Sequence, residues 1–357
     1  AASDVYKRQN ICVGREQRSA LLMSLELVEQ PLISCSGNTR GHQMEIDIVE
    51  QRIKDLSPAL LKILLSDKTT KKSIRWGTDN YNEYGTEYYT DQEITPDLIT
   101  GDMTVTIQPR VAKSEAEQNR RTRDKAEVFT PSWVCNEQNN LVDEAWFGRK
   151  NVFNSIYGKS WQTIADPIQF PKGKTWKSYV DARRLEVCCG EAPYLVSRYG
   201  TVTGQTIPIK DRIGLLDRKL RIVSENAKND LEWKNWVIRA YQSCYGYDFS
   251  GDNVLLAREN LLYTFIEYTK ERTGQKPSLK ELKHISTIIA WNLWQMNGLT
   301  MTAPYSLAQP AYQQLSLFDF WDTNEEEEIQ GTNEIPCRIF DWRTNESIEF
   351  RSMIQEG

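Results

Sequence analysis

The pattern of apolar and polar positions near the middle of the chain predicts a strand, a tight turn and a helix. Residues 184–188 are flanked by charge and closed by Cys189 and Gly190, which favours a short buried strand that ends at the glycine. Pro193 suits the first position of a following helix. Because Gly190 lets the backbone approach a ligand, this unit indicates a cofactor cradle, with an ordinary tight turn of an α/β protein as the alternative.

The next segment predicts a second strand and a long helix. Residues 245–248 end this strand with Asp248, which places a carboxylate at its C-terminal tip; an exposed turn aspartate is the alternative. Asp252 is a candidate N-cap for the helix that follows, and Gly274 is its predicted end. Its apolar positions are Val254, Ala257, Leu261, Leu262 and Phe265. Strand, turn, helix, strand and helix in this order favour a doubly wound sheet with a ligand across the carboxyl ends of its strands.

Weaker patterns flank these units. Ser278 and Glu281 form a predicted capping box, and residues 292–299 read as a third strand or as the end of that helix. Residues 213–226 read as an amphipathic insertion, and residues 337–342 as a last strand. Upstream, helical spacing begins after Met44, and residues 67–101 are predicted to be rich in loops with short strands. A further helix is predicted after Pro131, with an apolar stripe at Trp133, Val134, Leu141, Val142 and Ala145.

Composition limits the classes of protein that fit. The chain has 357 residues, 39% of them hydrophobic, and no apolar run long enough to span a membrane. Its 7 cysteines lack the spacing of a zinc site or a disulfide framework and have only 2 histidines beside them, so no metal is expected and a reducing cytoplasm is favoured. The net charge of −5 gives no overall attraction to nucleic acid.

A local basic run could still meet a polyanion. Residues 108–125 include Arg110 and Lys113, and then the candidate DNA-binding residues Arg120, Arg121, Arg123 and Lys125. Facing phosphates, these cations would attract DNA without regard to its sequence. The alternative is the solvated face of a helix.

Four regions are expected. Residues 1–43 read as an upstream artefact or a disordered arm, and residues 44–125 as an accessory region. Residues 126–345 form the main domain, with an insertion at about residues 200–240, and residues 346–357 form a tail.

Three motifs in order resemble the amino-directed DNA methyltransferases, especially the adenine-modifying subunits of restriction-modification systems. They are AEVFTP around Phe129, Thr130 and Pro131, LEVCCGEAPYL around Gly190, and YGYDFSGDNVLLARENLL around Asp248. The resemblance covers residues 125–342. It implies a Rossmann-like class I fold that uses S-adenosyl-L-methionine, here with a helical, loop-rich N-terminal region.

The resemblance also implies roles for individual residues. Phe129, Thr130 and Pro131 would hold the methionine end of the cofactor, and Asp248 would bind its ribose. Asn297, in QMNGL, stands where the family usually has an aspartate against the adenine ring. The turn that would pass beneath the cofactor contributes Glu186, Cys189, Gly190 and Glu191.

The chain departs from the family at the reaction centre, which is normally a polar residue, two prolines and an aromatic residue. No such tetrapeptide occurs. Asp341 and Trp342 offer an acceptor beside a ring and are the candidate catalytic pair, while TAPY at residues 302–305 keeps one proline and the ring.

No obvious region that recognises a DNA sequence follows Trp342, so this role would fall to residues 44–125, to the insertion, or to a partner such as a specificity or restriction subunit. DNA itself is the other expected partner. The sequence predicts a DNA adenine methyltransferase or modification subunit. A catalytically inactive subunit that binds the cofactor or DNA is the second hypothesis. A dehydrogenase is the third, although the turn has one glycine where the dinucleotide fingerprint needs three.

Overall fold

The structure is a computed structural model that describes residues 50–101, 105–113, 118, 130–306 and 334–355. Its N-terminal part begins with two short helices, α1 (Glu50–Leu56) and α2 (Pro58–Leu65). The expected helical spacing is therefore interrupted at Ser57, since the residue before a proline is pushed out of the helical conformation. Ile53 and the apolar face of α2 are buried, whereas Leu56 is exposed.

Residues 66–101 consist mostly of turns, as predicted, and end with the short helix α3 (Pro96–Ile99). The expected strands are reduced to two isolated antiparallel bridges, one of which pairs Arg75 with Glu93. Trp76, Tyr81 and Tyr88 pack into the main core and hold this loop-rich region against the rest of the protein.

Helix α4 (Ser132–Phe147) forms where it was predicted but buries a different face. Leu141 and Ala145 of the expected apolar stripe are exposed. The buried side chains are instead Cys135, Asn136, Asn139, Asp143 and Phe147. Polar groups tolerate this burial because they are paired: Asp143 forms a buried ion pair with Arg218, whose Nη2 also donates to Asn136 Oδ1 at 2.8 Å. The hairpin β1 (Asn154–Tyr157) and β2 (Ser160–Thr163) and helix α5 (Trp176–Asp181) follow.

A three-stranded parallel sheet lies at the centre of the described fold. Its strands are β3 (Arg184–Val187), β4 (Cys244–Asp248) and β5 (Leu293–Gln295), in that order across the sheet. Glu186 lies beside Gly246, which lies beside Leu293, so these residues share one face. The two strands predicted at residues 184–188 and 245–248 are thus confirmed. The alternative left open for residues 292–299 resolves both ways, since a helix ends at Asn292 and β5 begins at the next residue.

The predicted helix directly after Gly190 does not form. Residues 188–214 are turns and loop with one short 3₁₀ helix, and the next α-helix is α6 (Leu215–Asn226). Pro193 therefore does not begin a helix. The backbone N–H groups of Tyr194 and Leu195 are taken by the carboxyl group of Glu186, and this ties the loop back to β3. Two helices occupy the rest of the predicted insertion, α6 and α7 (Asp230–Gln242).

Two helices after β4 match their sequence signals. Helix α8 (Gly251–Thr273) ends at Gly274, which adopts the left-handed conformation that suits glycine. Its N-cap is Ser250 rather than the expected Asp252. Helix α9 (Leu279–Asn292) has the predicted capping box between Ser278 and Glu281.

A C-terminal hairpin covers the face of the sheet opposite to Glu186, Gly246 and Leu293. Residues 337–342 contain a strand as expected, β6 (Arg338–Asp341), which pairs antiparallel with β7 (Glu346–Glu349) and not with the central sheet. The region expected to be a tail therefore carries β7 and the short helix α10 (Ser352–Gln355). Tyr245, Tyr247 and Trp294 of the sheet pack with Phe350 in a second apolar cluster.

The described residues thus form a mixed α/β protein with a parallel sheet. None of the helices in these described parts has the length and apolar character needed to cross a bilayer.

Candidate functional site

The carboxyl ends of β3 and β4 meet through Gly190 and Asp248. The backbone N–H of Cys189 donates to Tyr247 O at 2.8 Å, which extends the strand pairing by one step. Cys188 and Gly190 then take left-handed backbone conformations, with φ of 51° and 52°. This turn points the N–H of Gly190 at Asp248 Oδ2, 2.9 Å away. The two predicted residues, far apart in sequence, are therefore in direct contact.

Asp248 is held in a fixed orientation at the tip of β4. Its Oδ1 accepts from the backbone N–H of Ser250 at 2.9 Å and from Asn253 Nδ2 at 3.4 Å. The side chain is buried, with only 9% of the residue exposed. The prediction of a carboxylate at the C-terminal end of the second strand is confirmed in position.

Glu186 and Cys189 lie beneath this tip. Glu186 accepts from Tyr194 N at 3.2 Å and from Leu195 N at 3.1 Å. Burial raises the pKa of Glu186 to about 8, against the lowering effect of these two N–H groups and with a contribution from the negative charge of Asp248. Burial also raises the pKa of the Cys189 thiol, and Asp248 and Glu186 raise it further. The floor of the site is therefore rich in carboxyl groups and disfavours additional negative charge.

Glu191 continues the turn and joins it to a second part of the chain. Its Oε1 accepts from the backbone N–H of Arg110, and its Oε2 accepts from Tyr199 Oη at 2.7 Å. Asn260 of α8 donates through Nδ2 both to the carbonyl of Glu191 and to Tyr199 Oη, each at 3.1 Å. The loop after β3 is thus fixed to α8 by polar contacts.

Thr130 and Pro131 approach the same loop from the start of α4. Thr201 Oγ1 donates to Thr130 O at 2.9 Å, and the backbone N–H of Thr201 donates to Ser132 Oγ at 3.2 Å. A small cleft opens between α4, this loop and α8, lined among others by Ser132, Glu191, Thr201 and Asn260. Asn260 is 3% exposed, and among the described contacts its Oδ1 has no hydrogen-bond partner. Asn260 thus lines the cleft and has a buried Oδ1 atom.

Several predicted residues fall elsewhere. Phe129 and the basic residues Arg120, Arg121, Arg123 and Lys125 lie outside the described residues. Lys113, from the same basic run, is buried against Asp252 with Nζ 3.7 Å from Oδ2, so it does not face solvent or a phosphate.

Asn297 lies at the carboxyl end of β5 but holds its own turn. Its Oδ1 accepts from Leu299 N at 3.0 Å, and its carbonyl accepts from Met301 N at 2.7 Å. The prediction that it faces an adenine ring stays a prediction.

Asp341 and Trp342 lie at the amino ends of the strands, opposite the carboxyl ends that carry Gly190 and Asp248. Asp341 Oδ1 is 2.8 Å from Nη2 of Arg183, the residue before β3, and Trp342 Nε1 donates to Asn292 Oδ1 at 2.7 Å, just before β5 begins. Burial opposes ionisation of Asp341, but the N–H of Arg343 and the charge of Arg183 outweigh it and lower its pKa. The length of β4, from Cys244 to Asp248, separates the two edges by about 13 Å. The structure thus separates this pair from the predicted cofactor residues.

Sequence reasoning missed an aromatic pair beside Asp248. The rings of Phe249 and Tyr305 lie 5.9 Å apart, edge to face, and the two residues are 38% and 40% exposed. Tyr305 belongs to the TAPY segment, and its contact with Phe249, the residue after Asp248, depends on folding and leaves no signal in the sequence. Asn260 was also missed, although a polar residue within the apolar ARENLL helix is the pattern that marks a buried hydrogen-bonding group.

Comparison with known proteins adds no family: no family model matches the chain, and neither the curated proteins nor the solved structures contain a match.

Proposed function

We propose that this chain is an S-adenosyl-L-methionine-dependent DNA adenine methyltransferase, or the modification subunit of a restriction-modification system, with a Rossmann-like class I fold. One observation carries the proposal: Gly190, Glu191 and Asp248, from two separate motifs, lie at the carboxyl end of a parallel sheet, and Thr130 of a third motif contacts the loop after β3 through Thr201. Ligands of open α/β sheets bind at such carboxyl edges.

The chemistry of this edge suits the proposed cofactor. A carboxylate at the tip of β4 can accept hydrogen bonds from ribose hydroxyls, and Asp248 is already oriented by its neighbours. The carboxylate groups of Asp248 and Glu191 favour a ligand with positive charge, and the cofactor carries a sulfonium and an ammonium group.

The aromatic pair gives the same edge a surface for a planar base. Phe249 follows Asp248 directly, and its exposed ring meets that of Tyr305. Exposed aromatic rings bind nucleobases by stacking, and this interaction tolerates different bases. When bound, the cofactor supplies a methyl group to an exocyclic amine, which loses a proton, and S-adenosylhomocysteine remains.

The turn after β3 argues against a dehydrogenase, because it is not followed by a helix that could bind a pyrophosphate. A dinucleotide pyrophosphate binds at the N-terminus of a helix that directly follows the glycine turn. No α-helix begins between Gly190 and Leu215, a stretch that is described in full, and the turn carries Glu191 instead of further glycines.

The second candidate function is a subunit that binds the cofactor but transfers no methyl group. The position of Asp341 and Trp342 at the opposite edge favours it, because it leaves the proposed site without its predicted amine acceptor.

A transfer assay separates these functions. The full chain is incubated with S-adenosylmethionine labelled in its methyl group and with unmethylated DNA, alone and with its partner subunits. Transfer of label to adenine, reduced by Asp248→Ala at subsaturating cofactor and retained by the exposed control Asp97→Ala, supports the methyltransferase. Cofactor binding without transfer under every condition supports the inactive subunit. If the chain does not bind the cofactor, both functions are excluded.

A further inference from the structure

The 105–113 segment of the accessory region contacts the loop that follows β3 and the first turn of α8, which follows β4 in the chain. At one point the backbone N–H of Arg110 donates to Glu191 Oε1. Three residues later, Lys113 Nζ lies 3.7 Å from Asp252 Oδ2. Glu191 lies in the loop after β3 and Asp252 in the first turn of α8, so one short segment is bound to the two pieces of the chain that flank the Gly190–Asp248 contact.

The Lys113–Asp252 ion pair lies deep inside the protein. The side chains of Lys113 and Asp252 are 4% and 0% exposed. Asp252 Oδ2 also accepts from Tyr81 Oη at 3.1 Å, so a second piece of the accessory region reaches the same carboxylate. Removing one partner of such a pair leaves a buried charge without compensation, which makes this contact far more consequential than a surface ion pair.

Asp252 is connected to Asp248 through its neighbours. Asp252 Oδ1 accepts from the backbone N–H of Asn253, and Asn253 Nδ2 donates to Asp248 Oδ1 at 3.4 Å. The first turn of α8 therefore links the buried ion pair to the carboxylate at the tip of β4. On the other side, Glu191 is adjacent to Gly190, whose N–H holds Asp248 Oδ2.

We infer that the 105–113 segment is a clamp that holds the loop after β3 and the first turn of α8 in a ligand-binding geometry, and that Lys113 and the backbone N–H of Arg110 are its positioning groups. The clamp itself is independent of the ligand; its effect on S-adenosylmethionine rests on the proposed function. The accessory region is accordingly part of the site, although none of its residues in this segment belongs to the three motifs.

Two matched pairs of variants test the clamp. Lys113→Met removes the charge, whereas Lys113→Arg keeps it. Arg110→Pro removes the backbone N–H, and Arg110→Ala keeps that N–H while deleting the same side chain; the preceding Pro109 already has the extended conformation that a following proline requires. Lys54→Met, on the partly exposed pair of Lys54 with Asp97, is the control.

Hydrogen exchange of the full chain without ligand gives the first readout. In Lys113→Met and Arg110→Pro we expect amide exchange at residues 188–192 and 248–253 to accelerate about tenfold, with Lys113→Arg, Arg110→Ala and Lys54→Met close to wild type. If Lys113→Met does not fold, the proline and alanine pair at Arg110 decides alone. Unchanged exchange in the folded variants would overturn the clamp.

Equilibrium binding of S-adenosylmethionine gives the second readout. We expect about tenfold weaker binding in Lys113→Met and Arg110→Pro, restored in Lys113→Arg. If exchange accelerates while the affinity stays that of wild type, the positioning role is wrong. If wild type itself does not bind the cofactor, the proposed function fails, while the exchange result still decides whether the clamp exists.

Discussion

Glu186 makes the stability of this protein depend on pH in a way that one substitution removes. The residue is 7% exposed and its two carboxyl oxygens hold the backbone N–H groups of Tyr194 and Leu195. Burial raises its pKa from 4.5 to about 8. Glu186→Gln keeps the size of the side chain and one carbonyl acceptor but cannot ionise.

The raised pKa of Glu186 lowers the stability of the protein as the pH increases. Because the folded protein binds this proton more tightly than the unfolded chain, the stabilisation is complete below the ordinary pKa of 4.5 and is lost as the pH rises through about 8. Between pH 5 and pH 7 the loss from this one group amounts to about 2 to 3 kcal/mol. The substitution itself removes one hydrogen bond, which costs about 1 kcal/mol at every pH.

Urea unfolding of the full chain at several pH values between 5 and 8 measures this difference. We expect the free energy of unfolding of wild type to fall relative to Glu186→Gln by about 2 to 3 kcal/mol from pH 5 to pH 7. Glu281→Gln is the control, because the hydrogen bonds from Lys234 and Ser278 lower the pKa of Glu281 to about 2, outside this range. Parallel pH profiles for wild type and Glu186→Gln would show that the ionisation of Glu186 does not lower the stability in this range.

Four further substitutions test other parts of the account. Asp248→Ala should weaken S-adenosylmethionine binding by roughly 1–3 kcal/mol, or about 5- to 150-fold, measured by calorimetry; unchanged affinity would remove the ribose assignment. Asp341→Asn should leave that affinity unchanged, because the residue lies at the other edge of the sheet, and a tenfold loss would place it in the site after all. Gly251→Ala should lower the stability by about 3 kcal/mol or more in thermal unfolding, since its Cβ would lie 1.9 Å from Arg75 O; a neutral effect would contradict the close docking there. Burial and the charge of Glu50 raise the pKa of Glu259, so Glu259→Gln should reduce the loss of stability as the pH rises above 4.5, and an unaltered pH profile would exclude this role.

Local signals predicted the elements that depend on neighbouring residues. The capping box at Ser278 and Glu281, the left-handed Gly274 and the strand that ends at Asp248 all form as expected. Each of these depends on a few consecutive residues, whose backbone conformation is set by side-chain hydrogen bonds or by the lack of a Cβ atom.

Tertiary contacts decided what the local signals did not. The helix expected after Gly190 does not continue, because the carbonyl groups of Tyr194 and Leu195 accept from the backbone N–H groups of Leu215 and Leu216 instead of from residues one turn later. Helix α4 buries Asp143 because Arg218, far along the chain, pairs with it. No period in the sequence of a single helix reveals such a partner.

In the candidate site, too, local sequence signals located some residues, and only tertiary contacts revealed the others. The motifs around Gly190 and Asp248 could be placed from sequence because they end adjacent parallel strands. The clamp at Arg110 and Lys113 could not, since a buried lysine within a basic run looks like a solvated one until its partner Asp252 is located.

Equilibrium titration of the full chain with S-adenosylmethionine tests the central claim most directly. We expect saturable binding with one cofactor per chain, which S-adenosylhomocysteine competes for and Asp248→Ala weakens. A titration that shows no saturable binding to the folded protein would contradict the assignment of the carboxyl edge as a cofactor site.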